Sequence, residues 1–302
     1  MTSPHQKITE SPNSPPKTPQ QTPKTNSSGS LDDGYKSEEN LVSPPNIQLP
    51  ISKAYFIQEL ISNTGHAKVY KGINKSTFEK VVVKKIPRTQ SNIYSELNLT
   101  NQAHNISPKT ILPILQVEKS KNSVTYVQPR FGMSLYDFMV SRNSPLNDLE
   151  VKIIYSQILK TLIKLQSYGI FHLDIKEENI LVDAKTLQVK LIDFGCSTYC
   201  KSPTKFVGSH EFAAPEMYYK QIPENGLAKH DVWSFAVSMF SASTGGLPYN
   251  SLKKLCSGEE NIDISKISKP VQEVLHVCMV PDFRYRASFG DLLKCKMFSD
   301  LE

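Results

Sequence analysis

The chain has 302 residues, with 35 Lys and Arg against 29 Asp and Glu, a net charge of +6 and five cysteines. That length suits one large domain or two small ones, and a mild, scattered excess of base reads as a solvated surface, with no nucleic-acid face expected. Cys196, Cys200, Cys256, Cys278 and Cys295 form no Cys-x-x-Cys pair, so neither a zinc site nor a disulfide framework is expected, and a reducing compartment, cytoplasmic or nuclear, fits best.

Residues 1–50 hold nine of the 20 prolines, 13 Ser or Thr and a single aromatic residue, Tyr35. Such a segment cannot bury enough apolar surface to offset its ordering entropy, so it is expected to be a disordered tail. Its Ser3-Pro4, Ser11-Pro12, Ser14-Pro15, Thr18-Pro19, Thr22-Pro23 and Ser43-Pro44 pairs suit proline-directed kinases, although a tail of this composition also produces such pairs by chance. No apolar core of signal-peptide type is visible, and no run approaches the ~18 apolar residues of a membrane span, so no membrane partner is expected.

Residues 51–302 read as the folded part. Ala54–Ile61, Ala67–Ile73 and Lys80–Ile86 are short, rich in Val, Ile and aromatics, and separated by Gly or Asn, which predicts consecutive strands. Ile111–Val117 and Ser123–Gln128 predict two more. The period then changes. Val151, Ile154, Ile158, Leu162 and Leu165 recur at helical spacing behind Asn147, with Glu150 three residues on, which predicts a capped helix. Asp231–Ser243 and Val271–Met279 also read as helical. A strand-rich first part and a helical second part predict an α+β, two-lobed fold with a cleft between the lobes.

The residues richest in chemistry are Phe171-His-Leu-Asp-Ile-Lys-Glu-Glu-Asn179-Ile-Leu181 and Leu191-Ile-Asp193-Phe-Gly195. Phosphoryl transfer needs a carboxylate to orient the attacking hydroxyl, oxygen ligands for Mg2+ and a cation on the moving phosphate. Asp174 can fill the first role, Asn179 and Asp193 the second, and Lys176 the third.

These motifs resemble those of the protein-kinase superfamily. The catalytic-loop pattern appears as His172, Leu173, Asp174 and Asn179, and the Asp-Phe-Gly pattern as Asp193, Phe194 and Gly195. The resemblance implies a bilobal protein-kinase fold, with a small β-rich N-lobe and a larger helical C-lobe. It implies ATP as co-substrate, Mg2+ as the metal and a protein substrate. Lys84, in Val81-Val-Val-Lys84, resembles the lysine that binds the ATP phosphates. Glu96 resembles the helix glutamate that holds it, with Glu59 and Glu79 also nearby in sequence. Ala213-Ala-Pro-Glu216, Asp231 and Arg286 resemble structural landmarks of the C-lobe, Arg286 being expected to pair with Glu216. Lys176 and its neighbours resemble serine/threonine kinases, and a few tetrapeptides echo the Mos-type kinases.

The resemblance weakens at the nucleotide loop. Aligning Val69 with the family valine places Ser62, Thr64 and Ala67 at the three glycine positions, with Gly65 between them. The loop would then run Ile61, Ser62, Asn63, Thr64, Gly65, His66, Ala67, Lys68, Val69, and Ile61, Val69, Val82 and Leu181 would sandwich the base. Thr64 is stiff where glycine lets backbone N–H groups approach phosphate closely, so weaker or slower closure on nucleotide is expected. Leu173 replaces an arginine that in many kinases collects an activating phosphate. Ser209 stands where a threonine is common, and Phe212 replaces a common tyrosine. The readings that follow are an active serine/threonine kinase or a pseudokinase scaffold, with a small-molecule kinase of the same fold as a third.

Overall fold

The computed structural model describes residues 49–199, 206–218, 226–265 and 267–301. The expected tail thus lies outside the described residues, apart from Leu49 and Pro50. Leu49 is already tied to the domain, because its carbonyl accepts a 2.8 Å hydrogen bond from Gln116 Nε2. Helix α1 (Ile51–Ala54) follows, and Ile51 is buried against Tyr55, Val81, Val83 and Val127.

Five antiparallel strands form the first lobe: β1 (Tyr55–Asn63), β2 (Lys68–Asn74), β3 (Lys80–Pro87), β4 (Gln116–Lys119) and β5 (Ser123–Pro129), in the order β1-β2-β3-β5-β4. Side chains alternate faces along β3. Val81 and Val83 turn into the core, while Val82 and Lys84 share the other face. Helix α2 (Ile93–Ile106) packs Ile93 and Leu97 against Ile86, Val124 and Tyr126, which sets Glu96 beside the sheet.

The strand expected over Ile111–Val117 is not formed as a unit. Ile111 makes only an isolated parallel bridge to Leu191, and pairing with β5 starts at Gln116. Pro113 lacks an N–H and cannot extend the ladder, so the run is an irregular link from α2 to β4, with Ile111 and Leu112 buried and Leu115 exposed.

The second lobe begins with β6 (Met133–Ser134) and α3 (Leu135–Arg142), which the sequence reading did not resolve. Ser134 caps α3 by accepting from Asp137 N. The expected capped helix is α4 (Asp148–Ser167), with the full reciprocal capping box between Asn147 and Glu150. Short strands β7 (Ile170–Phe171), β8 (Ile180–Val182), β9 (Val189–Leu191) and β10 (Thr198–Tyr199) carry the loops between them.

Helix α5 (Gly226–Thr244) is buried on nearly every side and runs through the core, with His230, Asp231, Ser234 and Ser238 as the polar groups it carries inside. Tyr155 of α4 meets it through a 2.8 Å hydrogen bond to Ser238 and edge-on packing against Phe235. Helices α6 (Leu252–Ser257), α7 (Lys269–Cys278) and α8 (Phe289–Leu292) complete the lobe. Among the described residues no helix is long and apolar enough to cross a membrane.

Candidate active site

Two side-chain clusters assemble between the strands and helices. The first is built from β3, α2 and the turn after β9. Lys84 Nζ lies 2.8 Å from Glu96 Oε1 and 2.9 Å from Asp193 Oδ1. Burial alone would lower the lysine's pKa. The facing Tyr126, Asp193 and Glu96 outweigh it and hold the ammonium well above the ordinary lysine range. The crowded surroundings of Asp193 would likewise raise its carboxyl, although the side chain is 42% exposed, but Lys84 and the Gly195 N–H keep it below the usual carboxylate value. Of the glutamates near Lys84 in sequence, Glu96 is the partner; Glu59 pairs with Lys71, and Glu79 accepts from Thr77.

Tyr126 belongs to this cluster and was not signalled by any motif. It lies opposite Lys84 in the ladder, so both side chains leave the same face of the sheet. Its hydroxyl donates to Glu96 Oε1 at 2.7 Å.

The second cluster surrounds Asp174. Asn179 Nδ2 donates to Asp174 Oδ2 at 2.9 Å and to its backbone carbonyl at 2.7 Å. Lys176 Nζ lies 3.0 Å from Oδ2, and Ser209 Oγ donates to Oδ1 at 2.8 Å while accepting from Lys176 at 2.7 Å. Burial would lower the Lys176 pKa, but Asp174 raises it above the ordinary lysine value. The amide nitrogen of Asn179 is held by Asp174, which leaves Oδ1 as the atom able to meet a cation.

Backbone bonds join the clusters. Ile192 N donates to Asn179 O at 3.0 Å, and His172 Nε2 meets Ile192 O at 3.1 Å. Asp231 of α5 accepts from the N–H groups of both His172 and Leu173 at 2.9 Å. That brace fixes the loop from below, with Leu173 and Asp193 both at positive φ. Arg286 and Glu216 form the expected pair, fully buried, at 2.5 and 2.9 Å.

The loop aligned with the glycine-rich segment is tied to itself. Ser62 and Asn63 end β1 opposite Val69 and Lys68. Thr64 Oγ1 accepts from Ala67 N at 3.1 Å and from His66 N at 3.3 Å, while Thr64 N donates to Ala67 O at 3.0 Å. Gly65 at the tip has open space around it. His66 Nδ1 reaches Gln90 Oε1 at 3.2 Å, and the Ala67 methyl is buried with Ile86, Leu97 and Tyr126. Ile61 is exposed, Val69, Val82 and Leu181 are half-buried, and Val82 pairs with Gln128.

A twisted antiparallel sheet carrying a Lys–Glu pair, set on a helical lobe that carries an Asp–Lys–Asn loop, is the architecture of a phosphotransferase. The model of the protein kinase domain matches residues 55–298, and the chain belongs to that family. It is 29% identical to mouse sperm motility kinase 3A over 252 residues, 79% of this chain and 48% of that protein. It is 30% identical to the probable serine/threonine-protein kinase HSL1 of Saccharomyces cerevisiae over 210 residues, 65% of this chain and 14% of that protein. Zebrafish maternal embryonic leucine zipper kinase is 30% identical over 213 residues, 66% of this chain and 30% of that protein. The chain thus spans at most about half the length of these relatives. The Mos-type echo draws no support from them.

Proposed function

We propose that this chain is an active serine/threonine protein kinase that transfers the γ-phosphate of Mg-ATP to protein hydroxyls. The observation that supports this most is the closed network in which Lys84 Nζ touches both Glu96 and Asp193. A largely buried ammonium fixed between two carboxylates is positioned to meet phosphate, as phosphoryl transfer requires.

The donor set suits Mg2+. Asp193 offers a carboxylate whose side chain is 42% exposed, and Asn179 offers a neutral oxygen. Mg2+ takes few protein ligands of this hard type and fills its remaining positions with water and phosphate. When bound, it would neutralise charge on the phosphates. Asp174 accepts the proton of the substrate hydroxyl, and its geometry is set by Asn179 and Ser209. Lys176 neutralises charge on the transferring phosphate.

The scaffold reading draws on one observation, the self-bonded loop at Thr64, which engages two N–H groups that a phosphate would need. Purified protein supplied with labelled ATP, Mg2+ and a generic basic protein decides between the readings. Label on serine or threonine, abolished by a chelator, supports the enzyme. ATP binding without transfer supports the scaffold. The Ser-Pro and Thr-Pro pairs of residues 1–50 would make the tail a substrate of proline-directed kinases, in the cytoplasm or nucleus.

A further inference from the structure

Glu96 has two tethers. One is Lys84. The other is Tyr126, 3% exposed, whose hydroxyl donates to the same Oε1 that Lys84 approaches. The ring of Tyr126 also lies under the ammonium, with Nζ 5.9 Å from its centroid. Thr100 Oγ1 donates back to Glu96 O at 2.7 Å, one turn on from the glutamate. Tyr126 stands on β5, a central strand paired on both sides, and α2 is a separate element packed on the sheet. A hydrogen bond between them resists any swing of α2 that would carry Glu96 away from Lys84. Such a swing would leave a buried phenol hydroxyl without its acceptor, a costly state.

We propose that Tyr126 is a positioning residue for phosphoryl transfer: it latches helix α2 to strand β5, so that Glu96 stays on Lys84 before any nucleotide or partner arrives. The inference rests on the kinase reading above. The latch makes α2 placement a property of the domain itself, and it acts on Glu96 without touching the nucleotide.

Tyr126→Phe keeps the ring and removes the bond. Turnover should fall about tenfold in the otherwise unaltered protein, the effect of one hydrogen bond to a charged group. In a Glu96→Ala background, where the acceptor of the Tyr126 hydroxyl is already gone, the same substitution should cost less than about twofold. Adenosine affinity by calorimetry should be unchanged, since adenosine carries no phosphate for Lys84. Hydrogen exchange should quicken across residues 93–100 and stay the same in α5. Equal losses in both backgrounds, unchanged turnover, or unchanged exchange over residues 93–100 would each overturn the proposal. A wild-type protein that binds ATP but transfers nothing would instead overturn the enzyme reading, and the exchange measurement would still decide whether Tyr126 holds the helix.

Discussion

Replacing Leu173 with alanine tests how the activation segment is held. Leu173 is 1% exposed and packs with Ala213, Met217 and Leu227, with Phe171, Cys196, Phe206 and Val207 around the rim. Most of these contacts come from the segment between Cys196 and Met217. The backbone approaches closely as well: a side-chain carbon at Gly208 would lie 2.3 Å from Leu173 O, and Gly208 has φ +89. Where an arginine would gather a phosphate, this chain has an apolar seat.

Two consequences follow. The unphosphorylated protein should already be active. Ser197 supports this, since it is buried and donates to His172 O, and Ser209 is engaged with Asp174; Ser202 and Thr204 lie outside the described residues. Leu173→Ala should remove about 2–5 kcal/mol of packing. If about 2 kcal/mol of that falls on docking of the segment, turnover drops roughly thirtyfold. The assay uses protein made without other kinases, dephosphorylated and confirmed by mass spectrometry. Turnover is then compared with Leu173→Ala, and with wild type after phosphate is restored. A hundredfold rise on phosphorylation, worth about 2.7 kcal/mol of barrier, would refute the argument; so would a Leu173→Ala protein as active as wild type.

Thr64→Val removes the hydroxyl that occupies the N–H groups of His66 and Ala67, so Mg-ATP should bind about three- to tenfold more tightly while adenosine is unaffected; equal Mg-ATP affinity by calorimetry would contradict this. Arg286→Leu strands the buried Glu216 carboxylate and should cost about 3–5 kcal/mol in denaturant unfolding. A loss below about 1 kcal/mol would show that the pair does not anchor the lobe. Burial pushes the His230 imidazole down to about 4. Its folded state therefore binds the proton less readily than its unfolded state, and stability is lost as pH falls from about 6.5 towards 4, by up to about 3 kcal/mol. His230→Gln should flatten that part of the stability–pH curve, and parallel curves for the two proteins would dismiss the effect.

Local pattern carried much of this fold. The strands around Val69, Lys84 and Tyr126 follow from β-branched runs between turn residues. Asn147 and Glu150 mark the start of α4 by chemistry alone. The failure at Ile111–Val117 has a physical cause, because an apolar run states burial and not pairing, and Pro113 breaks the ladder. Helix α3 is too short for its period to stand out, although Ser134 and Asp137 carry its start signal. Within the site, Lys84, Glu96, Asp174, Asn179 and Asp193 were legible as motif residues, and the structure brings them into two linked clusters. The Tyr126 hydroxyl, the Thr64 turn and the burial of Ala67 were not legible. Each depends on which strand faces which helix, or on which way a hydroxyl turns, and neither periodicity nor spacing records that.

The central claim is that Asp174 performs chemistry on a protein hydroxyl in a chain that is already assembled for it. The direct measurement is turnover of the dephosphorylated protein beside Asp174→Asn, with Mg-ATP affinity measured on both. Wild type should place label on serine or threonine. Asp174→Asn should bind Mg-ATP within a few-fold of wild type and lose at least about a hundredfold in turnover, the range of one general base. Near-normal turnover in Asp174→Asn, or none in wild type, would contradict the account.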